Sequence, residues 1–185
     1  LATDPGALNL TDDIAVYRQR PGDDLVLTTD MVAAGVHFFA DDPPESIARK
    51  ALRVNLSDLA AKGAVPFGYL MSLALPANWT EAWVRSYVKG LRGDQERYGV
   101  ALLGGDTIKA SGGVTISITA IGRIPKGKLV TRGGAEPGDA IFVSGTIGEK
   151  TAVRALLSGA AIFMSKGQPS RLIPAWPWSP RWATL

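Results

Sequence analysis

Two long stretches, each fenced by helix-breaking residues and each set between short apolar runs, decide most of what this chain can become. Pro43-Pro44 opens the first, Glu45 to Ala64, and Gly63 with Pro66 punctuates its end, a pattern that predicts a helix. The second runs from Thr80 to Tyr98, with Thr80 as N-cap, Glu81 in the first turn and Gly99 as terminator. Around them lie apolar runs that read as strands. Leu25 to Thr29 leads into Asp30, Phe67 to Leu75 stops at Pro76, and Val100 to Leu103 runs into Gly104-Gly105-Asp106-Thr107. Val114 to Ile124 is the clearest, with Thr115, Ser117 and Thr119 alternating against apolar neighbours. Ala140 to Val143 is one more, opening into Ser144-Gly145 and a helix from about Glu149. The order β-α-β-α-β-β predicts an α/β (α+β) fold, a mixed sheet with helices on one face.

Composition narrows the chemistry. With no cysteine and a single histidine, His37, disulfides, thiolate nucleophiles, cysteine zinc sites and the HExxH motif are all excluded. A metal here must rest on oxygen ligands and so be magnesium-like or calcium-like. No apolar run is long enough to cross a bilayer, and residues 1–20 carry acids in place of a signal-peptide core. A soluble, cytoplasmic protein with no membrane partner is the expectation. Residues 1–60 hold ten acids and five bases, a net of −5, and residues 61–185 hold seven acids and fifteen bases, a net of +8. Acids early and bases later suit a metal cluster that faces an anionic substrate, although solvated faces produce the same balance. The bases are scattered, without an aromatic platform, which argues against nucleic acid.

Six short motifs or single residues could carry that chemistry. Asp12-Asp13 precedes Ile14-Ala15-Val16, and adjacent carboxylates on an extended chain point different ways, so one at most reaches a given site. Thr28-Thr29-Asp30 sits at the expected carboxyl end of a strand, where ligands collect in α/β sheets; a turn-forming Asp is the plainer reading. His37 lies beside Phe38, and a lone histidine next to aromatics is more often packed than catalytic. Asn55 and Asp58 share one face of the first helix. A carboxylate in so apolar a helix needs a cation or strong donors, Lys62 at i+4 among the candidates. Gly104-Gly105-Asp106-Thr107 would let the backbone approach a phosphate, or form an ordinary turn. Arg132 offers a guanidinium fork for phosphate oxygens. Gly145 to Thr151 looks like a P-loop at first sight, but two residues, not four, separate its glycines, and Glu149 stands before Lys150. It is not a Walker A motif.

Taken in order, DDIAV, TTDMVAAGVHF, RKALRVNLSDLAAKGAVP, LLGGDT, VTISITAIGRIP and LVTRGGAEPGDAIFVSG resemble the thiamine-monophosphate kinase family. That family belongs to the ATP-binding superfamily that includes aminoimidazole ribonucleotide synthase. The likeness runs from about Gly6 to Leu157. It implies the family's amino-terminal domain, whose sheet closes with that of a second subunit into a shared β-barrel in a homodimer. It implies ATP-dependent phosphorylation of thiamine monophosphate to thiamine diphosphate, with several magnesium ions. Asp13, Thr28, Thr29, Asp30, Asp58 and Asp106 match the family's metal positions. Gly105, Asp106 and Arg132 match its ATP contacts, and His37 a substrate contact; no position matches a general acid or base.

Three regions are expected: an ATP- and magnesium-binding dimerisation domain over 1–138, the first strand and helix of a mostly missing second domain over 139–158, and an atypical tail over 159–185. That tail holds four prolines, three tryptophans, three bases and no acid and reads as disordered or non-native sequence, or as a tail anchored by its tryptophans. The resulting expectation is a fragment with little or no catalysis of its own. Two other readings stay open: another ATP-dependent enzyme of the superfamily, and a non-catalytic dimeric module that binds magnesium nucleotide.

Overall fold

A computed structural model describes residues 1–133, 136–143 and 162–165. Four strands form one mixed sheet in the order β1-β4-β2-β3: β1 (Asp23–Ala33), β2 (Val65–Pro76), β3 (Ala101–Ala110) and β4 (Thr115–Pro125). Two helices, α1 (Pro44–Ala61) and α2 (Glu81–Tyr98), alternate with the first three strands. β4 pairs antiparallel with both β1 and β2, while β2 and β3 are parallel. Parallel neighbours need a crossover, and α2 supplies it. β5 (Ala140–Val143) and β6 (Ile162–Ser165) form a separate antiparallel pair.

The sheet is two-sided because its strands keep period 2. On β4, Ile116, Ile118, Ala120, Gly122 and Ile124 are buried, and the residues that alternate with them are half-buried. The buried side chains pack with Tyr69, Leu73 and Leu75 of β2, Ala48, Leu52, Leu56 and Leu59 of α1, and Tyr87 and Leu91 of α2. The helices therefore cover one face. Leu25, Leu27 and Met31 of β1, Leu70 of β2 and Ile108 of β3 remain exposed, and strand alternation puts all five on the other face.

Helix ends follow their sequence signals. Thr80 Oγ1 accepts the Trp83 amide at 3.2 Å, and Gly99 closes α2 in the left-handed conformation at φ 64°. α1 and α2 are clamped by Arg53, whose Nε and Nη2 each donate to the Asp94 carboxylate at 2.8 Å, with Asp94 only 2% exposed. Gly90 lets the helices approach, since a Cβ there would come within 2.5 Å of the Glu45 carbonyl oxygen.

Two strands run further than sequence alone predicts. β1 extends to Ala33, so Asp30 lies inside a strand and not at its carboxyl end; the alternation simply continues through Met31 and Val32. β3 continues through Gly104-Gly105-Asp106-Thr107, so this motif is not a turn. The ladder absorbs it with a bulge between the pairs Tyr69–Leu102 and Leu70–Gly104. At Gly105 a Cβ would lie 1.9 Å from the Met71 carbonyl oxygen, so only glycine fits. The helix expected from Glu149 and most of the atypical tail fall outside the described residues; the short β6 segment lies within that tail.

Candidate functional site

β1 is an edge strand, and α1 packs against it and its neighbour β4. Thr28, Asp30 and Val32 alternate onto the side that faces α1, where Val32 enters the core. Thr28 Oγ1 donates to Asp58 Oδ2 of α1 at 3.0 Å. Asp30, two residues along, lies close enough to Asp58 and His37 to feel both charges. Its carboxyl sits above the ordinary value, first through desolvation and then through the Asp58 carboxylate, with His37 opposing. Thr28 and Asp58 are thus in contact where the sheet edge meets α1, with Asp30 within charge-interaction range of Asp58 and of His37.

His37 is held by the loop that follows β1. The Ala33 amide donates to His37 Nδ1 at 3.1 Å, and the His37 amide returns to the Ala33 carbonyl at 2.9 Å. With Nδ1 accepting, the neutral ring carries its proton on Nε2. His37 is exposed while Phe38 is buried, so the packed reading of this histidine is wrong: the aromatic neighbour packs in its place. Asp58 is likewise exposed. Asn55 of α1 is fully buried in its stead, its Nδ2 donating to the Ala51 carbonyl at 3.1 Å and its Oδ1 without a partner among the described residues. The partner of Asp58 is the Thr28 hydroxyl and not Lys62.

The remaining candidates lie elsewhere. Thr29 alternates to the open face, where its hydroxyl donates to the Ile118 carbonyl at 3.2 Å and accepts from Thr119 Oγ1 at 3.1 Å. Asp106 is in register with Ser72 of β2, itself opposite Ser117 of β4 and so in line with Met31. Alternation puts it on the open face, three strands or about 14 Å from β1. Its Oδ1 accepts the Thr107 amide at 2.8 Å, and Gly105 stands beside it. Asp13 is exposed in the segment before β1, and Arg132 is exposed after β4. Among the described residues no three His, Asp or Glu side chains gather into a metal cluster. The described residues thus give two loci: Thr28, Asp30, Asp58 and His37 at the β1 edge, and Gly105-Asp106 on β3.

Sequence reasoning passed over Lys50, which is 9% exposed and donates to the His37 carbonyl. Its place four residues C-terminal to Ser46, on a helix face with Ile47 and Ala51, was the available signal.

A mixed α/β domain with helices on one face, a hard-oxygen donor pair at the sheet edge and a second acidic locus beside an obligatory glycine is the class that fold and site define. The model for "AIR synthase related protein, N-terminal domain" matches residues 11–124, and the chain belongs to that family. It is similar to the thiamine-monophosphate kinase of Caulobacter vibrioides, 48% identical over 146 residues, which are 79% of this chain and 42% of that one. Among solved structures it resembles thiamine-monophosphate kinase from Stenotrophomonas maltophilia, with a TM-score of 0.68 and 39% identity over 74% of this chain and 42% of the other. It also resembles AaThiL complexed with AMPPCP and TMP, with a TM-score of 0.65 and 36% identity over 70% and 41%. The chain thus spans less than half the length of these relatives. Among the described residues no helix is long and apolar enough to cross a membrane.

Proposed function

We propose that this chain is part of a thiamine-monophosphate kinase, an ATP-dependent phosphotransferase of thiamine diphosphate biosynthesis. The observation that carries the reading is the meeting of Thr28, Asp30, Asp58 and His37 at one sheet edge, in a chain similar to kinases of that name.

Magnesium fits the donors present. Asp30 and Asp58 repel one another, and Asp30 is partly desolvated, a strain that a hard divalent cation relieves on oxygen ligands. Asp30 and Asp58, with Thr28 beside them, would hold ions at the first locus, and Asp106 would serve at the second; Asp13 and Thr29 lie apart from both within one chain. Bound there, magnesium would neutralise charge on the phosphates.

The chain's own residues then have defined tasks. In the reaction an oxygen of the substrate phosphate bonds to the γ-phosphorus of ATP, and the bond from that phosphorus to the bridging oxygen breaks, releasing ADP. The attacking oxygen is already anionic, so no strong general base is needed, and positioning with charge stabilisation carries the rate. His37 presents Nε2–H as a donor to the substrate. Thr28 steadies the Asp58 carboxylate. The flat backbone at Gly105 admits a nucleotide phosphate beside Asp106, and Arg132 forks onto the nucleotide.

The open sheet face supports a homodimer. Leu27, Met31 and Ile108 are 61%, 60% and 56% exposed there, apolar side chains that a partner surface would take out of water. A second copy laid on this face buries it and closes the two sheets into a barrel.

Calorimetry with Mg-ATP, with and without thiamine monophosphate, tests the reading. We expect magnesium-dependent nucleotide binding that Asp58→Asn weakens with the fold intact. Nucleotide binding indifferent to both magnesium and Asp58 would overturn it.

A further inference from the structure

Lys50 is a buried charge to which the proposed chemistry gives no task. It sits in mid α1 among Ile47, Ala48 and Ala51, all buried. Its neighbours on the helix discharge onto acids, Arg49 onto Glu45 and Arg53 onto Asp94. Lys50 makes no ion pair among the described residues; its ammonium donates to the backbone carbonyl of His37. A buried ammonium without an anion is costly, and an apolar residue would fill the position without that cost. Something about the bond to His37 must matter more than the packing.

The loop explains what. Ala33 is a hub: its carbonyl accepts the Val36 and His37 amides at 3.3 and 2.9 Å, and its own amide reaches His37 Nδ1. Gly35 donates to the Phe38 carbonyl at 2.8 Å, and Ala34 donates to Val114 at 2.9 Å. Every one of these bonds ties the loop to itself or to the sheet. Among the described residues, Lys50 is the one side-chain donor that ties the Ala33–Phe38 turn to α1, the helix that carries Asp58, and a charged donor makes the stronger bond to a carbonyl.

We propose that Lys50 is the positioning residue for His37: it pins the His37 peptide to α1 so that the imidazole keeps Nδ1 on the Ala33 amide and Nε2–H toward the space beside Asp30 and Asp58. The link to substrate rests on the kinase reading; the link from Lys50 to the ring does not. A rigid ring in one tautomer presents one donor at one place, which is how a loop residue acquires the precision of a scaffold.

His37 is the sole histidine, so its nitrogen NMR signals need no assignment. At a pH where the ring is neutral, the unsubstituted protein should show a single Nε2–H tautomer. Lys50→Met, which keeps the aliphatic stem, should show exchange-averaged nitrogens, and Lys50→Arg, which keeps a charged donor, should restore them. Arg53→Met, which loosens the helix pair elsewhere, should leave the ring signals unchanged. In calorimetry Lys50→Met should weaken thiamine monophosphate about tenfold while Mg-ATP affinity holds. The idea is overturned if the unsubstituted protein carries its proton on Nδ1, a result independent of whether any variant folds. It also falls if Lys50→Met keeps the fixed tautomer, or if Arg53→Met disturbs the ring equally. Should the unsubstituted protein bind no thiamine monophosphate at all, the kinase reading of His37 fails, and the tautomer comparison still judges Lys50.

Discussion

Asp30→Asn should stabilise the protein without metal and destabilise it, relative to the unsubstituted chain, with metal. Asp30 lies two strand residues from Thr28, whose hydroxyl fixes Asp58, so the two carboxylates are separated by about 7 Å, one same-face step along a strand. Like charges at that distance repel by about 0.6 kcal/mol in a water-like dielectric. Partial desolvation of Asp30 acts in the same direction, while His37 opposes both and solvent screens the exposed carboxylate, so the gain is about 0.5–1 kcal/mol. For a chain of this size that is a rise in Tm of about 1–4 °C in EDTA.

The pH dependence fixes the sign. Asp30 has a carboxyl raised above its ordinary 3.8, so the folded chain holds that proton more tightly than the unfolded one. The stability it contributes is fully present below the unfolded value and is lost as pH rises through the folded value. The advantage of Asp30→Asn should therefore appear only above the raised value, and vanish in acid. With magnesium at a hundredfold its Kd, the unsubstituted chain gains about 2.7 kcal/mol, and the order of the two melting curves should reverse. Thermal melts in EDTA and in magnesium across pH provide the check. A lower Tm for Asp30→Asn in EDTA at neutral pH would refute the repulsion argument. An equal magnesium gain in both proteins would remove Asp30 from the metal site.

Three other substitutions test separate parts of the structure. Gly105→Ala forces a methyl against the Met71 carbonyl oxygen and should cost about 3 kcal/mol in urea denaturation; a loss below half of that would mean that the β2–β3 ladder gives way easily. Asp94→Asn leaves the half-buried Arg53 against a neutral partner and should cost about 3 kcal/mol while magnesium affinity, read by calorimetry, is unchanged. Met31→Glu puts a charge on the open face and should turn a dimer into a monomer in sedimentation at tens of micromolar; an unchanged mass would show that this face is not the contact.

The fold was legible where local signals and periodicity agreed. Thr80 and Gly99 bound α2 as their side-chain and backbone chemistry requires, and the alternation of Thr115, Ser117 and Thr119 marked β4 and both its faces. It was less legible where a long-range partner decides. Nothing local tells that Gly104-Gly105 lies within a strand, because what holds it there is its pairing with Leu70 and Met71 on β2. Asp58 looked like a buried helix acid because hydropathy cannot say which side of α1 meets the sheet edge; the burial falls on Asn55, and Asp58 emerges beside Thr28. The packed reading of His37 fails for the same reason, since adjacent residues in a tight loop face opposite ways and Phe38 is the one that turns inward. Lys50 escaped notice because a lysine in a helix reads as surface until its carbonyl partner, thirteen residues earlier, is known.

β1 divides its labour by parity. Thr28 and Asp30 are turned to α1, while Leu27, Thr29 and Met31 are turned to the bare side of the sheet. Loss or gain of a single residue between Asp24 and Asp30 would swap the two sets at a stroke, pushing acids among greasy neighbours and grease among the acids. Homologous chains can therefore vary the letters of this strand far more freely than its count, and alignments of them should be free of gaps there even where identity is low.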